Sequence, residues 1–430
     1  NVKIDESTYY RMHFDQPYFE RPMVDCDNTK RTRRELYPYE CRIRELSYTG
    51  ILYANINTAY VHYNEDTGKT EVKDYMCHKR KVICKIPVML NSIRCNLYGK
   101  SEEEMIRLGE CPNDAFGYFI IRGKERCIVS QQRGVYNQNF VYEAKPTEKH
   151  EMQLDIRSIS EETKHSILLQ LKVMKSHVYI GLPYLNSDVL LAVLFVAYGI
   201  SVEEMEVLLC NVSSSSSSTE KYDEIEQNLL LDMYKIGSKE NAIKMLSELT
   251  LSVVMKENRT KYIEQILNDE ILPHLGLNSP NSKKIVFLIN MFKHLTKVYR
   301  KKIPVDDRDH LKQQRVEVIG TLLSDLLRTL LKRYVRTVYT QLEKRQDISL
   351  IICKLSMITL GLMHCFSVGS WGIPKSNYLR QGVSQLLSNL SYHGKLSHLR
   401  RVVIPQGKDS KSTKIRAIHT SQIGMVCPHE

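Results

Sequence analysis

Apolar residues recur in period two from Arg42 to about Ile180, and in steps of three and four beyond it. In the first region "ILYANINTAY" (51–60) sets Leu52, Ile56 and Tyr60 against Asn55 and Asn57, as a half-buried strand requires. "GYFIIRGKERCIVS" (117–130) is two β-rich runs joined around Arg122, Gly123 and Lys124, which predicts a hairpin. "KVICKIPVML" (81–90) is a further strand that Pro87 ends or places at a sheet edge.

Helix signals then take over. "SDVLLAVLFVAYG" (187–199) predicts a helix capped by Ser187 or Asp188 and stopped at Gly199. Ser201 and Glu204 have the spacing of a capping box. Ser213–Ser218 predicts a solvated loop between helices. Helical pattern resumes over 238–300, broken at Pro273 and at "LNSPNS" (277–282). One long helix follows, because Ile319, Leu322, Leu323, Leu326, Leu330, Tyr334, Val338 and Leu342 fall on one side. Its other side carries Arg328, Lys332, Arg333 and Arg336, either an ordinary solvated face or a nucleic-acid contact. The pattern contains no internal repeat.

At 430 residues the chain is too long for one small core, and two or three domains are expected. With 42% hydrophobic and 26% charged residues, it is not disordered by composition. A net charge of +12 points to a polyanionic partner, with plain solubility as the alternative. That charge is concentrated in "LSHLRRVVIPQGKDSKSTKIR" (396–416), where six Lys or Arg meet one acid, Asp409. Its Gly, Pro and Ser residues prevent a continuous helix.

Other chemistry is sparse. Eleven cysteines form no Cys-x-x-Cys pair and fourteen histidines complete no ligand spacing, so reduced core cysteines are expected and zinc is not. The N-terminal "NVKIDESTYYRMHF" lacks an apolar signal core. The longest uncharged apolar run, Val189 to Ile200, is too short to cross a bilayer; 348–366 contains Lys354 and reads as a buried helix. A soluble chain is expected. There is no P-loop, dinucleotide glycine fingerprint, HExxH or Asp-x-Asp cluster. "DDRDH" (306–310) offers Asp306, Asp307 and Asp309, but Arg308 in its middle suits a salt-bridged corner better than a magnesium site.

Eight blocks in order then resemble the second-largest, β-like subunit of multisubunit RNA polymerases: "YPYECRIRELSYTG" (37–50), "IPVMLNSIRCNL" (86–97), "GECPNDAFGYFIIRGKERCIVSQQR" (109–133), "LPYLNSDVLLAVLFVAYGI" (182–200), "ILPHLG" (271–276), "DDRDH", "SVGSWG" (367–372) and "RQGVSQLLSNLSYHGKLSHLRRVVIPQGKDSKSTKIRAIHTSQIGMVCP" (380–428). The resemblance covers the chain from residue 37 onward. Departures exist. The family's double glycine before "YFI" is Phe116-Gly117, so that turn need not keep the family geometry. The basic loop reads Gly407-Lys408-Asp409-Ser410-Lys411, with Lys in place of a fork-shaped Arg. "THW" is replaced by residues 421–423, "SQI". Such drift looks like a large DNA virus or another divergent lineage. The family pattern continues past "VCPHE" into "TPEG", so an expressed fragment, a split subunit or a segment before an inserted element is expected.

The resemblance implies an α+β, multidomain fold: a mixed β/α protrusion over 1–188, an inserted, mainly helical lobe over 189–310, a protrusion return over 311–367 and a fork module over 368–430. It implies a part of DNA-directed RNA polymerase, a nucleotidyltransferase, lining one side of the DNA cleft. No catalytic or metal residue is expected in this chain. Magnesium would be bound mainly by the largest subunit, and the isolated chain would be inactive. Gln385, His398, Arg400 and Arg401 would lie by the RNA–DNA hybrid, and Lys408, Lys411, Lys414 and Arg416 by the downstream strands. Alternatively Arg400 or Arg401 pairs with a core carboxylate, and His398 is a packing histidine. His419 and Cys427 are read as structural. Implied partners are the largest and other polymerase subunits, template DNA, downstream duplex, nascent RNA and transcription factors on protrusion and lobe, with no membrane. The location would be intracellular: nucleus, cytoplasm or viral factory. From another class, the alternative is a non-catalytic, polymerase-derived module that binds nucleic acid or docks transcription factors.

Overall fold

The computed structural model describes residues 2–3, 8–25, 33–63, 70–211, 223–250, 258–276, 280–343, 356–372, 380–405 and 418–427. Helices and strands mix throughout, in several sheets and two compact units, an α+β arrangement. The first unit comprises residues 1–133, 315–418 and 426–430; the second comprises 134–314 and 419–425. Residues 134–188 group with the helical segment that follows them, because the apolar face of their sheet is covered by those helices.

In the first unit, Thr49–Tyr63 is a long antiparallel strand pairing with Thr8–Phe14, Tyr18–Glu20 and Thr70–Pro87. The last of these ends at Pro87, as expected. Phe119–Ile121 (β1) and Lys124–Ile128 (β2) form the predicted hairpin. Arg122 (φ 50°) and Gly123 (φ 71°) both take the left-handed conformation that a two-residue hairpin turn needs. A Cβ on Gly123 would sit 2.9 Å from Glu45 Cα, so the close approach also requires glycine. Phe116 (φ 51°) precedes Gly117 (φ 78°), so this side chain occupies a backbone region that glycine enters freely.

The hairpin separates two cores. Phe119, Ile121 and Ile128 face one that includes Leu322, Leu326, Leu330, Tyr334 and Val338. Tyr118, Ile120 and Cys127 face another with Cys41, Tyr48 and Leu97. A strand buried on both faces explains the unbroken apolar run "YFII". The long helix is Ile319–Glu343, with its buried positions four residues apart as read from the sequence. Ser356–Val368 packs so closely on it that a Cβ at Gly361 would lie 2.6 Å from Leu330 Cδ2. Lys332, Arg333 and Arg336 are exposed on the other face.

In the second unit, Asn139–Glu143, Met152–Ile159, Ser166–Met174, His177–Gly181 and Val189–Leu190 form an antiparallel meander. Its apolar face packs on helices Leu191–Ala197, Glu224–Ile236 and Asn281–Tyr299. Helix 191–197 begins later than predicted and has no side-chain cap. Val189 and Leu190 pair with Ile180 and Tyr179 instead, and Asp188 binds Lys172 at 2.8 Å. The Ser201–Glu204 capping box forms, with both hydrogen bonds at 3.0 and 3.2 Å. Ser213–Ser218 lies outside the described residues.

Among the described residues, no helix is long and apolar enough to cross a membrane. Cys41, Cys84, Cys95, Cys127 and Cys365 are free and buried, whereas Cys77, Cys111 and Cys427 are free and exposed.

Candidate nucleic-acid interface

The C-terminal basic region of the first unit is built on the hairpin. Ser384–Leu386 (β3) pairs antiparallel with β2, placing Gln385 opposite Cys127. Tyr392–Leu399 (α2) follows, capped by Ser391 Oγ, which accepts the Gly394 N–H at 3.0 Å. The chain then adds Val402–Val403 in parallel to Ser130–Gln131. These pairings fix both ends of α2, and Arg400 is its C-terminal cap residue.

Asn389 and Lys395 join a polar network drawn from three of the sequence blocks. Arg42, on helix α1 (Pro38–Ile43), donates from Nη1 to both carboxylate oxygens of Glu110, each at 3.0 Å. Its Nε donates to Glu125 Oε1 at 2.7 Å and its Nη2 to the Tyr118 hydroxyl at 2.9 Å. Tyr118 donates onward to Asp114 Oδ2 at 2.7 Å. The other oxygen of Asp114 accepts Lys395 Nζ, which also stands 4.6 Å from the Tyr118 ring centroid. Asn389 Nδ2 donates to Glu125 Oε2 at 2.7 Å.

The two glutamates respond oppositely to the shared guanidinium. Glu110 is the more deeply enclosed, and burial outweighs Arg42 to raise its pKa. At Glu125, burial is overcome by hydrogen bonds from Asn389 and Arg42, and the pKa falls. Arg42 loses hydration, but Tyr118 and the glutamates more than compensate and hold it charged.

His398 is 5% exposed and both ring nitrogens are engaged. Nε2 lies 3.3 Å from Cys127 Sγ and 3.0 Å from Gln385 Oε1, and Nδ1 accepts the Ser388 N–H at 3.1 Å. Burial first, then the charge of Arg401, lowers its pKa; burial pushes the Cys127 thiol up to about 11. The ring thus holds α2 against β2. Gln385 is half-buried, donating to the Gly382 carbonyl at 2.9 Å.

Arg400 is exposed and Arg401 half-buried. Neither has a carboxylate partner among the described residues. Arg401 Nε is screened from solvent and has no hydrogen-bond acceptor there. Three other arginines of the unit are paired: Arg42 binds Glu110 and Glu125, while Arg133 and Arg380 both bind Glu317. Lys408, Lys411, Lys414 and Arg416 lie outside the described residues.

The "DDRDH" corner belongs to the second unit. Asp306 Oδ2 accepts the Val141 N–H at 2.9 Å and lies 3.6 Å from His294 Nε2. Asp307 Oδ2 lies 2.7 Å from His419 Nε2, and Arg308 covers the Tyr142 ring at 5.0 Å. These contacts tie a loop together and present no shared face of carboxylates to a metal ion. Ser421 Oγ accepts the Leu311 N–H at 2.9 Å, so His419 and Ser421 serve the same corner.

Sequence reading marked Gln385, His398, Arg400 and Arg401 but missed Arg42, Glu110, Glu125, Asp114 and Lys395 as one cluster. Their only advance signal was membership of the quoted blocks. The family model described as RNA polymerase beta subunit matches residues 1–354, and that described as RNA polymerase Rpb2, domain 3, matches 385–430. The chain is 31% identical over 477 aligned residues to a DNA-directed RNA polymerase II subunit RPB2 homolog of Invertebrate iridescent virus 6, covering 99% of this chain and 38% of that relative. It is 30% identical to DNA-directed RNA polymerase II subunit 2 of Arabidopsis thaliana, covering 98% and 36%. It is 30% identical to DNA-directed RNA polymerase subunit Rpo2N of Methanocaldococcus jannaschii, covering 92% and 78%. The chain therefore spans less than two fifths of the length of the viral and plant relatives.

Proposed function

The chain belongs to the RNA polymerase beta subunit family, and on that premise we propose that it is the protrusion, lobe and fork portion of a second-largest subunit, guiding nucleic acid during transcription. The observation that carries this reading is that Arg400 and Arg401, at the end of a firmly anchored helix, have no carboxylate partner among the described residues, whereas Arg42, Arg133 and Arg380 are held by glutamates. A guanidinium kept free of internal partners is suited to phosphate oxygens.

On this reading Arg400 and Arg401 contact the backbone of the RNA–DNA hybrid, with Gln385 beside them. His398 acts by holding the helix that carries them. Lys408, Lys411 and Lys414 meet the downstream strands as point charges, and Arg416 meets them with a planar guanidinium. Contacts of this kind carry no base information, which a polymerase copying any template needs. The chain supplies no catalytic residue and no metal ligand; magnesium belongs to the largest subunit of the assembled enzyme. Other polymerase subunits, template DNA, downstream duplex, nascent RNA and transcription factors on protrusion and lobe are its partners, in a nucleus, cytoplasm or viral factory.

A photo-crosslinking amino acid placed at Arg400 in the assembled polymerase tests this. Labelling of hybrid RNA or template DNA is expected. Labelling of protein alone contradicts the reading.

A further inference from the structure

We infer that Lys395 and Asp114 are positioning residues for Arg400, aiming its guanidinium at nucleic-acid backbone without touching nucleic acid themselves; the inference rests on the function proposed above. Helix α2 has eight residues, about two turns. A helix this short does not hold itself in water; the strand pairings fix its ends, and its rotation about its own axis depends on what its side chains grip. The grips are specific. Lys395 is bound by Asp114 and by the face of Tyr118, and His398, three residues on, is bound by Cys127 and Gln385.

Residues three apart share a helix face, so both grips pull α2 the same way. Arg400 is five residues after Lys395, a rotation of about 140° round the axis. Drawing Lys395 inward therefore turns the following cap residue outward, where Arg400 is exposed. The ion pair is nearly enclosed, with Lys395 15% and Asp114 12% exposed. Its acceptor is itself held, because the second oxygen of Asp114 takes the Tyr118 hydroxyl, which Arg42 grips in turn. An apolar contact would hold α2 down but let it rotate. A directional ion pair fixes its angle.

The test uses assembled polymerase carrying the full-length subunit on an RNA–DNA scaffold, reading elongation-complex half-life against salt. The variants are Lys395→Met, Lys395→Arg, Asp114→Asn, Arg400→Ala and the Lys395→Met/Arg400→Ala double. Lys395→Met and Asp114→Asn are expected to shorten the half-life about 3–10-fold at unchanged assembly yield, and the double variant to be no worse than Arg400→Ala, since both act through one contact. Lys395→Arg, which keeps the charge and the ring contact, restores the wild-type value. A wild-type half-life in Lys395→Met beside a defective Arg400→Ala overturns the inference and leaves the proposed function standing. Additive losses in the double variant, or failure of Lys395→Met and Asp114→Asn alike to assemble, also overturn it. No effect of Arg400→Ala removes the nucleic-acid reading itself.

Discussion

Glu125 joins two distant parts of the chain through one carboxylate: Oε1 accepts Arg42 Nε and Oε2 accepts Asn389 Nδ2, each at 2.7 Å. Arg42 also neutralises Glu110, whose side chain is 3% exposed. Replacing Arg42 with Ala strands both carboxylates. A loss of about 3–5 kcal/mol of unfolding free energy is expected, the usual cost of breaking an enclosed pair from one side. Denaturant unfolding of wild type and variant measures it. A loss below about 1 kcal/mol, the range of surface pairs, would mean the network contributes little.

His398 gives a pH signature. Its folded pKa lies below the ordinary histidine value, so the unfolded chain binds that proton more tightly. Stability from the neutral ring is complete above the unfolded pKa of about 6.5 and declines as pH falls through it. In His398→Gln, which keeps polar atoms but cannot titrate, the stability difference between pH 7.5 and 5.5 is expected to shrink. Melting temperatures at the two pH values test this, and an identical difference in both proteins contradicts it.

The elements legible in the sequence were those governed by local periodicity and turn chemistry. The hairpin around Arg122-Gly123, the end of a strand at Pro87 and the long helix over Ile319–Glu343 all follow from patterns within a few residues of each other. The start of helix 191–197 was misread because a tertiary demand overrode a local one: Val189 and Leu190 complete a sheet, and Asp188 serves Lys172. The Arg42 network was not legible at all. Its members pair across sequence separations of 68, 83 and 264 residues, and no local rule links them. At His398 the residue type left binding and packing equally open, and no local pattern foretold that the ring is buried against Cys127, Gln385 and Ser388.

Deleting Ser213–Ser218 is expected to leave melting temperature and polymerase assembly within error of wild type. Solvated loops between helices tolerate changes of length at an entropic cost of about 0.6 kcal/mol per doubling. Thermal unfolding and co-purification with the other subunits measure this. Loss of soluble folding would show the tract to be a structural element.

The purified chain alone is expected to extend no primer on an RNA–DNA scaffold with nucleotides and magnesium. In its nearest acidic cluster, Asp306 and Asp307 are committed to the corner with His294 and His419. Extension that survives stringent purification would contradict the assignment of catalysis to another subunit.

If the basic C-terminal region binds nucleic-acid backbone, the affinity of the polymerase for a scaffold must depend on salt through these residues. Assembled polymerase is titrated on two scaffolds of unrelated sequence, as wild type, as Lys408→Ala/Lys411→Ala/Lys414→Ala and as Arg400→Ala/Arg401→Ala. Each lysine that meets a duplex phosphate releases condensed counterions, so the triple variant should flatten the log–log slope by up to ~2–3, equally on both scaffolds. The double-arginine variant should act mainly on elongation-complex lifetime and pausing. A wild-type slope and lifetime in both variants would return the region to an ordinary solvated surface.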